Sequence, residues 1–62
     1  MSLKKARIRA GKTVQEVMKE FDVSDAAVYF WETGRTQPRV RLLPRLAEFY
    51  GCTVDELLSE DD

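Results

Sequence analysis

Sixty-two residues make one small domain, near the lower limit for a core that stands without disulfides or metal, and the single cysteine closes no internal disulfide. Histidine is absent, which removes the commonest general base, both the Ser-His and Cys-His nucleophile arrangements, and any His/Cys metal cluster. Ten bases against eleven acids give a net charge of −1, and no run of about 18 apolar residues is long enough for a membrane span.

The punctuation is helical from end to end, and no strand pattern, linker or internal repeat interrupts it. Leu3, Ala6 and Ala10 mark the inner side of a first helix over about 3–10, which Gly11 closes. Thr13-Val-Gln-Glu16 is a capping box: the hydroxyl meets the third amide of the helix and the carboxylate returns to the cap amide. It opens a second helix over about 14–21 with Val17, Met18 and Phe21 inward. Ser24 caps a third over about 25–33, with Asp25 in the first turn where the helix dipole favours negative charge. Val28 and Trp31 form its inner stripe and Gly34 ends it. Pro38 falls in the next loop. Pro44 is compatible with a fourth helix over about 42–50, because a first-turn residue has no intrahelical amide bond to lose. Its inner stripe is Leu43, Leu46, Ala47 and Tyr50. A second capping box, Thr53-Val-Asp-Glu56, opens a fifth over about 54–59 with Val54, Leu57 and Leu58 inward. An acidic tail, 59–62, follows. The expected fold is therefore all-α: a compact bundle of five short helices in one domain over 1–62. None of these helices persists alone at such lengths, so packing of the stripes must hold them together.

Charge is unevenly spread. Residues 55–62 hold five acids and no base, leaving ten bases against six acids in the other 54, a net of +4. This polarity suits a polyanion on one face. A lone thiol fits a reducing compartment, and with no signal-peptide pattern the expected location is cytoplasmic.

Helices two and three are joined by Asp22, Val23 and Ser24, with an apolar residue in the turn. That is a helix-turn-helix, whose second helix fits the major groove while the first braces it on the backbone. From Leu3, Arg7 and Gly11 through Thr13, Glu16 and Val17, then Val23-Ser24, Val28, Trp31-Glu32, Gly34 and Pro38, to Leu46-Ala47, Gly51 and Val54-Asp55-Glu56-Leu57-Leu58, the chain resembles the Cro/repressor-type (XRE-like) helix-turn-helix domains of bacterial and phage transcription regulators. The resemblance implies a lambda-repressor-like five-helix domain, no cofactor, and operator DNA bound as a homodimer on two half-sites. It also implies an ion pair between Arg7 and Glu32 that locks the first helix to the third. Three positions depart from the pattern: Val14 for the usual Gln, Met18 for Ala, and Asp22 for Gly.

In the family's pose Asp25, Ala26, Tyr29 and Phe30 face the bases. Asp25 accepts from a cytosine amino group, Ala26 and Phe30 meet thymine methyls, and Tyr29 reaches a base or a phosphate. Gln15, Ser24, Arg35, Thr36, Arg39 and Arg41 are the phosphate candidates, three to four contacts per subunit. Arg45 is expected to point to solvent, and Cys52 to fill a small gap in the core. The leading functional expectation is a sequence-specific regulator of transcription, a repressor, bound to double-stranded DNA. No enzymatic role, metal, small-molecule ligand or membrane partner is expected. The competing expectation is a protein-interaction module on the same fold, an antitoxin-like or anti-repressor partner, drawn from the neighbouring aromatics Tyr29 and Phe30.

Overall fold

The computed structural model describes residues 2–59. Among these residues five α-helices follow one another: α1 Leu3–Arg9, α2 Val14–Phe21, α3 Asp25–Thr33, α4 Leu43–Tyr50 and α5 Val54–Leu58, with a 3-10 turn over Val40–Leu42 leading into α4. Among the described residues there is no strand, in keeping with the all-α expectation. The acids Glu60, Asp61 and Asp62 of the tail lie outside the described residues.

Local chemistry sets each boundary. The Thr13 and Thr53 hydroxyls accept from the Glu16 and Glu56 amides at 3.1 Å, and both carboxylates accept from the cap amides in return. Those contacts hold the Glu56 carboxyl below its usual range, first through the Thr53 backbone amide and then its hydroxyl. Ser2 and Ser24 cap α1 and α3 through single hydroxyls. Gly34 closes α3 with φ +79°, a left-handed conformation that costs glycine nothing. Asp22 does the same work for α2 at φ 54° with a side chain, so the turn carries a strain of about 1 kcal/mol that glycine would not.

Three boundaries differ by a residue from those read in the sequence. Ala10 is the C-cap of α1 rather than its last residue, and Ser59, in extended conformation, ends α5. The third difference has a clear cause. Pro44 lacks an amide hydrogen and takes the second position of α4, so the residues before it tighten into a 3-10 turn, which the Leu42 amide closes by donating to the Arg39 carbonyl at 2.8 Å.

Helix α2 packs on α3, α4 on α5, and α1 reaches both α3 and α4. Val17, Val28 and Leu46 are fully enclosed at the centre, ringed by Ala6, Phe21, Ala47, Tyr50 and Leu57. Phe49 joins them from the side, its ring edge-on to Phe21 at 5.5 Å. Leu58 corrects the sequence reading: it is 56% exposed, because a five-residue helix turns only one of two adjacent leucines inward, and Leu57 takes that place. Arg45 is exposed as expected, and its guanidinium also lies over the Phe21 ring at 5.1 Å. Cys52 is partly buried against the core, and burial pushes its thiol up.

Tyr50 gives the core a pH limit. Its phenol is pushed up from 10.0 to about 12, first by burial and then by the negative charge of Glu32. A raised folded pKa means stability that is complete below the unfolded value and lost as pH rises through the folded one. Helical circular dichroism is therefore expected to fall between pH 10 and about 12, more steeply for the parent than for Tyr50→Phe. Superimposable profiles for the two proteins would rule out Tyr50 as the group responsible.

Candidate nucleic-acid interface

The turn between α2 and α3 sets the interface. The Val23 amide donates to the Met18 carbonyl at 3.1 Å, and left-handed Asp22 reverses the chain, so that Ser24 caps α3. Val23 and Met18 are both half-buried against the core, which fixes the turn from inside. At the place of the usual family Gln, Val14 also packs against the core, while Gln15 beside it is exposed at the second position of α2.

Val28 points from α3 straight into the core and Trp31 packs beside it. At 100° per residue this leaves Asp25, Ala26, Tyr29 and Phe30 on the opposite face, and all four are exposed. Asp25 is partly committed: its Oδ1 accepts from the Ala26 amide at 2.8 Å, leaving the second oxygen to accept from a ligand. Thr33, which the sequence reading passed over, falls on the same outward face. Its hydroxyl donates to the Tyr29 carbonyl at 2.9 Å, and period counting beyond the first two turns is the signal that finds it.

The ends of α2 and α3 and the following loop carry the polar candidates. The Ser24 hydroxyl accepts from the Ala27 amide at 3.2 Å and keeps its own proton for an acceptor outside. Arg35, Thr36, Arg39 and Arg41 are all exposed. Arg39 and Arg41 border a cleft of about 470 Å³ whose floor includes Val23 and Trp31, which brings both arginines next to the helix-turn-helix turn. Arg35 and Thr36 stand at the other end of α3, where the Thr36 amide donates to the Phe30 carbonyl at 3.3 Å.

Behind α3 lies an ion pair. Arg7 Nε donates to Glu32 Oε2 at 2.7 Å and Arg7 Nη2 to Glu32 Oε1 at 3.3 Å, a two-pronged contact. The third nitrogen, Nη1, donates to the Lys12 carbonyl at 3.0 Å. The two side chains are only 13% and 5% exposed, and the Glu32 hydrogen bond raises the Arg7 pKa further. One guanidinium thus ties α1, the loop after it and α3 together. Each of its three nitrogens is engaged inside the protein, whereas the loop arginines are exposed.

Among the described residues no group of His, Cys, Asp or Glu could hold a metal ion, and no helix is long and apolar enough to cross a membrane. No solved structure matches the chain. Among curated proteins it is similar to the HTH-type transcriptional activator BcrR of Enterococcus faecalis, 33% identical over 58 residues. That alignment takes in 90% of this chain but only 28% of the relative's length. A helix-turn-helix family model matches residues 3–57, with the turn, both capping boxes and the α1–α3 ion pair inside the matched span. The chain belongs to the helix-turn-helix family of Cro/repressor (XRE) type.

Proposed function

We propose that this chain is the DNA-binding domain of a transcription regulator, docking α3 in the major groove and acting as a repressor where the occupied site overlaps a promoter. The observation that carries the reading is the exposed face of α3, with Asp25, Ala26, Tyr29 and Phe30 turned outward and exposed polar groups at both its ends. Gln15, Ser24, Arg35, Thr36, Arg39 and Arg41 supply phosphate contacts, and these fix the register of α3 on the duplex. The family supports DNA as the partner, and the relative from Enterococcus faecalis is described as an activator, so the docking face is compatible with either regulatory sign. Two copies on a palindromic operator, one helical turn apart, complete the proposal.

The test is selection of bound duplexes from a random pool at low and near-physiological salt. An enriched palindrome with half-sites about 10 base pairs apart is the expected result. Seven or so neutralised phosphates in the dimer give a log–log salt slope of about −6, and replacing Arg39 and Arg41 by alanine flattens it by about 2 per subunit. Absence of any enriched sequence, with binding that disappears as salt rises, would overturn the reading. In that event the exposed rings of Tyr29 and Phe30 would favour the same face as a protein-binding surface.

A further inference from the structure

The outward face of α3 lacks one kind of chemistry. Asp25 offers a carboxylate, Ala26 a methyl, Tyr29 a phenol, Phe30 a ring and Thr33 a hydroxyl. A guanine edge in the major groove shows two acceptors, O6 and N7, and is matched by two donors held side by side. No side chain of that face carries two donors.

The loop after α3 supplies them. Gly34, left-handed at φ +79°, turns the chain back on the helix, and the Thr36 amide pins it there by donating to the Phe30 carbonyl at 3.3 Å. Arg35, between them, lies with its guanidinium carbon 5.1 Å from the centre of the Phe30 ring. Phe30 is 38% exposed and Arg35 is exposed, so the pair sits at the surface of the proposed DNA face. Among the described residues no carboxylate pairs with Arg35. The ring attracts the cation through its quadrupole and takes no hydrogen bond from it, so the N–H fork is left for a ligand. Arg45 also lies over a ring, but that ring is Phe21, buried at the end of α2 against Phe49 and not on the outward face of α3.

We propose that Arg35 is a base-reading residue selective for guanine, and that Phe30 is its positioning residue. The proposal rests on the DNA-binding reading above and changes the assignment of two side chains within it. Arg35 moves from the phosphates to a base edge, and Phe30 serves the arginine instead of meeting a thymine methyl.

The experiment compares duplex selections by the parent, Arg35→Ala, Phe30→Leu and Phe30→Tyr, followed by binding to the selected site with 7-deazaguanine placed at each guanine in turn. Far-UV circular dichroism checks each variant's fold, which an exposed position on α3 should leave intact. The parent is expected to require guanine at one position per half-site and to lose about tenfold in affinity when N7 is removed there. Arg35→Ala and Phe30→Leu should each accept any base at that position while keeping their preferences elsewhere. Phe30→Tyr, which keeps the ring, should restore guanine. A parent motif that survives in Arg35→Ala, with affinity lowered equally for every sequence, makes Arg35 a phosphate contact and overturns the proposal while leaving the DNA reading intact. Retention of guanine by Phe30→Leu overturns the positioning role. A parent that selects no sequence overturns both this proposal and the reading beneath it.

Discussion

Glu32→Ala is expected to remove about 3–5 kcal/mol of folding stability, because it leaves the Arg7 guanidinium buried with the Lys12 carbonyl as its remaining partner. A domain of this length holds on the order of 3–9 kcal/mol in total, so the loss is about a third of it or more and should lower the urea midpoint by at least that share. The size of the effect comes from the charge left behind, not from the strength of the pair. In water the two ions would gain little by meeting. Here they are already desolvated, and the two-pronged contact at 2.7 and 3.3 Å is what makes their burial tolerable. Removing both charges tells the two ideas apart. A double variant, Arg7→Met with Glu32→Leu, should recover much of what Glu32→Ala loses, since no uncompensated ion remains. Urea unfolding, which unlike guanidinium chloride adds no salt, measures all three proteins. A loss below about 1 kcal/mol for Glu32→Ala would place the pair with ordinary surface contacts and remove its claim to hold α3 in place.

That ion pair also shows where a sequence can and cannot be read. The helix starts were plain because a capping box is local: Thr13 with Glu16, and Thr53 with Glu56, act within one turn. Val28 followed from a period of 3.6, which needs no knowledge of neighbours, whereas the outward four of α3 came from the family's pose. Arg7 and Glu32 are 25 residues apart, and their pairing came from family resemblance, because no local rule links them. Features that depend on three-dimensional neighbours were missed. Leu57 and Leu58 are equivalent to a hydrophobicity count, yet only the packing of α5 on α4 decides which turns inward. Arg45 is exposed as read, but the Phe21 ring beneath its guanidinium was not foreseen. The contact of Arg35 with the Phe30 ring was missed because nothing in Gly34-Arg35-Thr36 announces that the loop folds back on Phe30. The frame of the interface was thus legible and its face was not. The frame is set by burial and caps, whereas the face is set by where a loop comes to rest.

The second large effect is expected at Leu46, which lies on α4 and is fully enclosed in the core. Leu46→Ala removes its apolar surface from the centre of the core and leaves a cavity, at a cost of about 2–5 kcal/mol. Leu46→Met, nearly equal in volume, should cost less than about 1.5 kcal/mol. The contrast between these variants and Arg39→Ala/Arg41→Ala separates folding from recognition in a DNA-binding assay. A ligand that binds only the folded state draws an unstable variant back by mass action, by RT ln(1 + [L]/Kd). Leu46→Ala should therefore bind its operator with the parent's salt slope, at an affinity lowered only by the fraction unfolded, and should gain helical circular dichroism as DNA is added. The double arginine variant should begin fully helical, gain nothing on DNA addition, and show a flatter slope, because the contacts themselves are gone. If Leu46→Ala were instead fully folded yet unable to bind, α4 would have to touch the DNA or position something that does. The docking of α3 alone would then be the wrong geometry for this domain.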